Sequence, residues 1–364
     1  MSYVDMRPVA LVIPLMVRGG AERQMAYMAN WWSRQGRNIT LITFNKQAAY
    51  HLHPTIRRIC LDEIAVSADI EMVCEKARIK CLRLALQAAQ CSNVISFISR
   101  MNMRTIAAAQ GLDMNIIVSE RAFPPCVPLG EADEKRRRAL YPQAKAVVVQ
   151  TEYAKNVWAT RFLPPDHVKV IPNALADFQP LACPELSPPR QPYVLAAGRL
   201  QREKGFDLLL DAFAILCGGF PELRLIIAGE GPERPALERQ VAALGLQARV
   251  ELTGMVEHIN LLMQKACCFV LPSRFEGMPN VLMEAMALQT ACIASDCRTG
   301  PAELIQHHYN GLLVPVGDIA GLADAMRQVI ANDALRQELA RNSTGSMQRF
   351  SLPAIMPLWE RLLV

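Results

Sequence analysis

The sequence predicts an α/β protein built from two doubly wound parallel-sheet domains, and three observations carry that prediction. Short β-branched runs alternate with longer amphipathic stretches. The alternation halts at a Pro-rich segment and restarts beyond it. The length, 364 residues, exceeds one small domain and falls short of three.

In the front half the strand-like runs are Val9–Ile13, Ile39–Phe44, Val94–Ile98, Ile116–Ser119, Ala146–Gln150 and Val168–Ile171. Helical patterns at Ala21–Gln35, Asp69–Gln90 and Glu152–Phe162 lie between them. Strands separated by helices pair in parallel through right-handed crossovers. The rhythm resumes at Tyr193–Ala197 and continues through Leu223–Ala228, Val250–Leu252, Cys268–Leu271, Ala291–Ala294 and Leu312–Val314. Five prolines between Ala176 and Pro192 forbid regular structure there. The expected organisation is therefore residues 1–175, a linker at 176–192, a second domain at 193–345 and a terminal helix within 346–364. In such sheets ligands bind outside the strand carboxyl ends.

Composition removes several classes. Hydrophobic residues make up 51% and charged residues 20%, too apolar a mixture for disorder. The 11 cysteines are odd in number and form no Cys-x-x-Cys pair, which argues against a disulfide scaffold or zinc module and for a reducing cytoplasmic setting. The apolar run Val9–Val17 is short, contains Pro14 and lacks a cleavage site, unlike a signal peptide. No apolar stretch approaches spanning length, which leaves peripheral membrane attachment open. The net charge of +5 is unevenly spread: residues 1–174 carry +9 and the remainder −4. The basic part is expected to meet an anion, whether membrane, phosphate or nucleic acid. The cations are not interleaved with stacking aromatics, so nucleic acid is the weakest of these.

The strongest motif runs from Phe275 to Ala287, directly after the strand Cys268–Leu271. Gly277 and Pro279 suit a turn that opens a helix, with Pro279 in its first turn. Glu276 then stands in the loop and Glu284 in the helix. Carboxylates so placed accept hydrogen bonds from a hydroxyl-rich ligand; a solvent-facing pair is the competing reading. After Tyr193–Ala197 come Gly198, Arg199, Lys204 and Gly205. A guanidinium fork and an ammonium at a strand's carboxyl end suit a diphosphate, or form a solvated basic turn. Gly229 and Gly231 follow the next strand and permit close backbone approach. Gly19 and Gly20 follow the first strand and open a helix, where backbone N–H groups can face an anion, or simply make a sharp turn. The adjacent His307 and His308 read as an exposed loop pair, and no Ser-His-Asp or Cys-His constellation is visible.

Together these motifs, with Val170-Ile171-Pro172-Asn173 before the linker, resemble the retaining glycosyltransferases of family 4 over nearly the whole chain. The resemblance implies the GT-B fold, two Rossmann-like domains facing a cleft, and a nucleotide-sugar donor, a UDP-sugar, held by the second domain. Carried over, Arg199 and Lys204 neutralise the donor diphosphate, Glu276 contacts the sugar, Glu284 holds the ribose diol and Gly20 approaches the diphosphate. Gly19, Asn173, Gly229, Gly231, Gly277, Met278, Pro279 and Asn280 complete the expected donor contacts. The resemblance implies retention by front-face attack, no bound metal and no other cofactor. It also implies a last helix, Pro353–Leu363, that crosses back onto the first domain.

The segment Asp69–Gln90 bears on the acceptor. Ile70, Val73, Cys74, Ala77, Cys81, Leu84, Ala85 and Ala88 recur at helical spacing as an apolar stripe. Lys76, Lys80 and Arg83 form a separate basic stripe. This suits a helix at anionic headgroups, or an ordinary surface helix with solvated cations. Its order with Val94–Ile98, Asn102 and Ile116–Glu120 resembles a bacterial subgroup, GalNAc transferases among them, that extends glycans on polyprenyl diphosphate carriers. By that resemblance Lys76, Lys80 and Arg83 bind the carrier diphosphate, the enzyme sits peripherally on the inner face of the plasma membrane, and GalNAc or another hexose or HexNAc is the sugar. Arg121 stands where the subgroup has His; it cannot act as a base but can clamp an acceptor phosphate. The run Lys135-Arg136-Arg137-Arg138 faces either the membrane or solvent. Three alternatives remain: a transferase acting on a soluble sugar phosphate, a UDP-sugar epimerase of the same architecture, and a non-enzymatic nucleotide-sugar sensor.

Overall fold

The structure, a computed structural model, describes residues 6–121, 129–176 and 191–363. The chain forms two compact units. One comprises Met1–Ala176 with Leu352–Val364, the other Asp177–Ser351. Most of the expected linker, residues 177–190, lies outside the described residues.

The first unit contains β1 (Val9–Val12), α1 (Gly20–Arg34), β2 (Ile39–Thr43), β3 (Arg57–Cys60), α2 (Leu61–Ser67), α3 (Glu75–Ala89), β4 (Asn93–Phe97), α4 (Ser99–Ala109), β5 (Asn115–Ser119), α5 (Glu131–Leu140), β6 (Ala146–Val149), α6 (Glu152–Arg161) and β7 (Val168–Val170). All seven strands are parallel, in the order β3-β2-β1-β4-β5-β6-β7. β1, β2, β4 and β6 are buried along their whole length. Helices cover both faces of such a sheet, so these strands read as continuous Val/Ile runs without alternation. β3 escaped the sequence reading because Arg57-Arg58-Ile59-Cys60 has no such run; it is an edge strand, held by its ladder to β2. Thr151 caps α6 through the amide of Ala154 at 3.1 Å.

The second unit contains β8 (Tyr193–Ala197), α7 (Phe206–Cys217), β9 (Arg224–Ala228), α8 (Arg234–Ala243), β10 (Val250–Gly254), α9 (Ile259–Lys265), β11 (Cys268–Leu271), α10 (Asn280–Ala287), β12 (Cys292–Ser295), α11 (Pro301–Leu304), β13 (Leu312–Val314), α12 (Ile319–Ala331) and α13 (Asp333–Met347). Its six parallel strands run β10-β9-β8-β11-β12-β13. Asn332 separates α12 from α13 and caps the latter, accepting from the Leu335 amide at 3.1 Å. Each unit has its own core: Leu209, Phe213, Leu225, Ile227, Val270 and Met326 in the second, Val94, Val118, Tyr141, Val147 and Trp158 in the first.

The last helix, α14 (Leu352–Glu360), belongs to the first unit. Before it, α13 and a 3-10 turn at Gln348–Phe350 continue the second unit as far as Ser351. Trp359 is buried, its ring 5.9 Å from that of Phe97. Trp32 donates through Nε1 to Glu360 at 3.1 Å, and Asn115 donates to the Leu362 carbonyl at 2.9 Å.

All four tryptophans, Trp31, Trp32, Trp158 and Trp359, lie in the first unit, so tryptophan fluorescence reports that unit alone. Replacing a buried Trp by Ala costs about 3–5 kcal/mol. Trp359→Ala is therefore expected to lower the urea midpoint of the fluorescence transition, read by the three remaining indoles. An unchanged midpoint would show that α14 adds nothing to the first unit's stability.

Candidate functional site

In the second unit strand order reverses between β8 and β11: the chain proceeds from β8 outward to β10, then returns to β11 on the other side. Such a switch point opens a crevice at the strand carboxyl ends, because the two connections leave in opposite directions. The loops after β8 and β11 carry the strongest sequence motifs to this place. Lys204 ends a short 3-10 turn at Arg202–Lys204. Its Nζ lies 2.7 Å from Oε1 of Glu276. The same oxygen accepts from the Ser273 hydroxyl at 2.6 Å, and the Thr299 hydroxyl donates to the Glu276 carbonyl.

Glu276 is 7% exposed and Glu284 4%, which excludes the solvent-facing reading of the carboxylate pair. A charge so far from water needs a partner; Lys204 supplies one. Arg199 is exposed, next to the switch point but outside this ion pair. Pro279 is the N-cap of α10 and not part of its first turn, so Asn280 opens the helix. Gly277 lies in the loop before it, Met278 is buried and Glu284 follows one turn into α10.

A second ion pair holds the two loops together. Arg274 forks onto Asp207 through Nη1 and Nη2 at 2.7 and 2.6 Å, and Nη1 also donates to the Arg202 carbonyl at 2.8 Å. The Arg274 amide donates to the Glu203 carbonyl at 2.8 Å. Two residues before Glu276 and three after Lys204, this fork ties together the segments that carry Lys204 and Glu276. Burial favours the neutral acid at Asp207, but the Arg274 fork outweighs it and holds the carboxyl below its ordinary value. Sequence reading missed both residues; their one signal is their position flanking the motifs.

Gly229 and Gly231 are required by backbone packing. With φ at +145°, a Cβ on Gly229 would lie 1.9 Å from the Gly198 carbonyl oxygen; one on Gly231 would lie 2.3 Å from that of Leu200. The loop after β9 therefore lies flat on the loop that carries Arg199.

The first unit reverses strand order between β1 and β4. Gly19 precedes α1 and Gly20 begins it. The Gly19 amide does not face an open anion site as expected. It donates to the Tyr50 hydroxyl at 2.9 Å, and that hydroxyl donates back to the Gly19 carbonyl at 2.8 Å. Arg121, after β5, is committed within the unit. Nη2 donates to Oδ1 of Asn173 at 2.6 Å and the guanidinium lies 4.3 Å over the Phe97 ring. Burial pushes this group down to about 9, opposed by Glu22, so it stays charged at neutral pH. Asn173 thus meets Arg121, and Gln24 fixes the next residue by exchanging hydrogen bonds with the Ala174 backbone at 2.7 and 2.8 Å. Beneath Arg121, buried Glu120 accepts from Tyr141 and from Ser99 at 2.7 Å; burial raises its carboxyl above the usual range.

Helix α3 departs most from expectation. It begins at Glu75, six residues later than the pattern suggested, because the chain turns at Asp69, whose φ is +51°. Its buried face is Cys81, Leu82, Ala85, Leu86 and Ala89, while Val73 is 79% exposed and Cys74 and Ala88 are exposed. Lys76 and Lys80 are exposed. Arg83 is not part of a free basic row: Nη1 donates to the carbonyls of Ala108 and Gln110 at 2.8 and 2.6 Å, satisfying the end of α4. The run Lys135–Arg138 is not one solvated or membrane-facing surface either. Arg136 pairs with Glu75, and Arg137 is buried, paired with Glu134 at 2.6 Å and stacked 4.8 Å over Trp158. The rings of His307 and His308 lie 4.0 Å apart, with Nδ1 of His307 3.0 Å from the Leu313 amide. Among the described residues no helix is long and apolar enough to cross a membrane.

Residues 182–345 match the family model of group 1 glycosyl transferases. Across 98% of its length, and 98% of the relative's, the chain is 29% identical to a Campylobacter jejuni enzyme, GalNAc-alpha-(1->4)-GalNAc-alpha-(1->3)-diNAcBac-PP-undecaprenol alpha-1,4-N-acetyl-D-galactosaminyltransferase. It is 25% identical to the amylovoran biosynthesis glycosyltransferase AmsD of Erwinia amylovora, over 95% of this chain and 96% of that one. The sucrose-phosphate synthase of Thermosynechococcus elongatus superposes with a TM-score of 0.83 at 22% identity, covering 98% of each chain. Anabaena HepE, solved in complex with UDP, superposes with a TM-score of 0.81 at 18% identity, covering 98% of this chain and 99% of its own. The two-sheet architecture is thus that of the GT-B glycosyltransferases.

If the Arg274–Asp207 fork spaces Lys204 and Glu276, Arg274→Ala should lower kcat about tenfold or more, a 1 Å displacement being enough to cost that much, while Tm shifts by only a few degrees. The charge-reversed pair Arg274→Asp with Asp207→Arg should recover part of the loss. Equal activity of Arg274→Ala and wild type would remove the fork from catalysis.

Proposed function

We propose that the chain is a group 1 glycosyl transferase that moves a sugar, GalNAc or another hexose or HexNAc, from a UDP-sugar to a glycan carried on a polyprenyl diphosphate, with retention at the anomeric carbon. The observation that carries the reading is the pairing of Lys204 with the buried Glu276 at 2.7 Å on the switch point of the second sheet. Similarity across 98% of a relative that bears an undecaprenyl diphosphate glycan in its name supports the acceptor class.

The chemistry follows from how this pair exchanges partners. Without donor, Lys204 is neutralised by Glu276. A bound donor brings two new groups: a diphosphate, which attracts the ammonium, and sugar hydroxyls, which donate to the released carboxylate. Arg199 adds a guanidinium fork toward the diphosphate, and Glu284 takes the ribose diol. Negative charge on the leaving diphosphate peaks as the glycosidic bond breaks. Fixed cations then stabilise the transition state more than the bound donor. The acceptor hydroxyl attacks from the face the diphosphate leaves, and a diphosphate oxygen takes its proton, so no protein base is needed. These roles need no bound metal. The exposed Lys76 and Lys80, on the basic first unit, favour association with the anionic inner face of the plasma membrane.

One preorganised donor of this kind contributes about 3 kcal/mol, roughly a hundredfold in rate. Lys204→Ala is therefore expected to lower kcat about a hundredfold with a smaller change in KM for the donor, and unaltered turnover would remove Lys204 from the mechanism. A screen of UDP- and GDP-sugars against short polyprenyl-diphosphate glycans, read by mass shift and repeated with chelator, tests the substrates. Transfer from a UDP-sugar, insensitive to chelator and with the α-anomer retained by NMR, is expected. Exclusive use of a soluble sugar phosphate would overturn the acceptor.

A further inference from the structure

The second basic centre of the molecule lies in the first unit, around one carboxylate. Glu75, the first residue of α3, accepts from Arg104 of α4 at 3.0 Å through Nε to each oxygen and at 2.8 Å from Nη2 to Oε2. Nη1 of Arg136, on α5, donates to Oε1 at 2.6 Å, and Arg78 stands 4.0 Å away. Arg100, one helical turn from Arg104, pairs with Asp133 at 2.9 Å. Three arginines thus converge on a single carboxylate, and with Lys76 beside it the centre keeps a positive excess.

The place is as informative as the charge. α4 leaves the carboxyl end of β4 directly, while α3 and α5 run toward the opposite edge of the sheet to feed β4 and β6. The first turns of all three helices therefore lie on the strand carboxyl edge, where α/β sheets bind ligands. Arg83 lies two turns further down α3 and caps the far end of α4. Glu75, Lys76 and Arg78 stand in the first turn of α3, and Arg104 and Arg136 reach Glu75 from the second turns of α4 and α5, whereas the stripe runs on through Lys80 to Arg83, away from that edge.

We propose that Arg104 and Arg136, with Arg78 alongside, form an oxyanion site for the acceptor's diphosphate, and that Glu75 is its resident counter-ion, displaced when the diphosphate binds. The inference rests on the acceptor class proposed above and assigns the residues that recognise it. A guanidinium edge that takes two carboxylate oxygens takes two phosphate oxygens in the same geometry. The exchange replaces one negative charge by two or more, facing the same three cations. Glu75 is 35% exposed and Arg104 12%, so the arginine is held in place by packing while the carboxylate has water to move into. A pure staple between helices has no use for a third cation or for this exposure. Glu75 sets the threshold: it keeps the arginines folded and neutralised, so only an anion with more charge than a carboxylate takes its place.

The test uses the full chain with the donor site filled by saturating UDP and inorganic pyrophosphate as the probe, titrated by calorimetry. Glu75→Gln keeps the shape and an acceptor oxygen but removes the competing charge. It should tighten pyrophosphate about fivefold or more, whereas a staple predicts no gain in binding. Arg104→Lys keeps charge but loses the fork, and should weaken binding about tenfold and raise KM for a polyprenyl-diphosphate glycan without changing KM for the donor. Affinity unchanged or weakened in Glu75→Gln, with a native melting profile, overturns the inference. Should Glu75→Gln fail to fold, Arg104→Lys decides alone: unchanged pyrophosphate affinity overturns it. Sedimentation with anionic phospholipid vesicles separates a headgroup from a diphosphate: stronger vesicle binding by Glu75→Gln without a gain for pyrophosphate also overturns it. The two readings fail separately. Transfer to the lipid-linked glycan with an unaltered KM in Arg104→Lys removes the site and keeps the function. The pyrophosphate results without transfer to any such acceptor keep the site and remove the acceptor.

Discussion

A parallel sheet sends every strand in one direction, so the carboxyl ends of all its strands share a single edge, and that constraint governs what both units of this chain can do. Backbone ladders bury Val, Ile and Leu on both faces and leave chemistry to the loops that leave that edge. At a strand-order reversal two neighbouring loops depart in opposite directions and leave room between them. In the second unit those loops hold Lys204 and Glu276 at 2.7 Å. A carboxylate that is 7% exposed would be costly there without the ammonium.

The two units solve the same electrostatic problem with the same device. Each gathers cations on its sheet's carboxyl edge and keeps a carboxylate among them. In the second unit the partners are an ammonium and Glu276. In the first they are guanidinium groups and Glu75, whose carboxyl is opposed by burial yet held below its ordinary range by Arg104 and Arg136. A carboxylate set among cations relieves their mutual repulsion. The +9 of residues 1–174 is thereby divided in use. Arg83, Arg121 and Arg137 hold helix ends, strand ends and aromatic rings, while Arg104 and Arg136 pair with Glu75 at the start of α3.

The strands were legible because a buried parallel strand is a bare apolar run; β8, β11 and β13 fall on the runs that mark them. β3 was not, because an edge strand of Arg57-Arg58-Ile59-Cys60 is defined by its neighbour. The motif carrying Glu276 and Glu284 was legible, since a turn and a helix start are local events. The face of α3 was not. Periodicity placed Val73 and Ala88 in the stripe, but α2 closes in a left-handed turn at Asp69, α3 starts only at Glu75, and packing buries Cys81, Leu82, Ala85, Leu86 and Ala89 instead.

The amino-acid sequence by itself determined the alternation of strand and helix and the turn that carries Glu276 into the helix of Glu284, because each depends on neighbours within a few positions. Tertiary structure alone decided which charges are partnered. Lys204 and Glu276 are 72 positions apart, Glu75 and Arg136 are 61, and Arg121 and Asn173 are 52. Coulomb attraction and hydrogen-bond geometry act over a few ångströms in space, and nothing in a local pattern records which distant loops the sheet will bring that close.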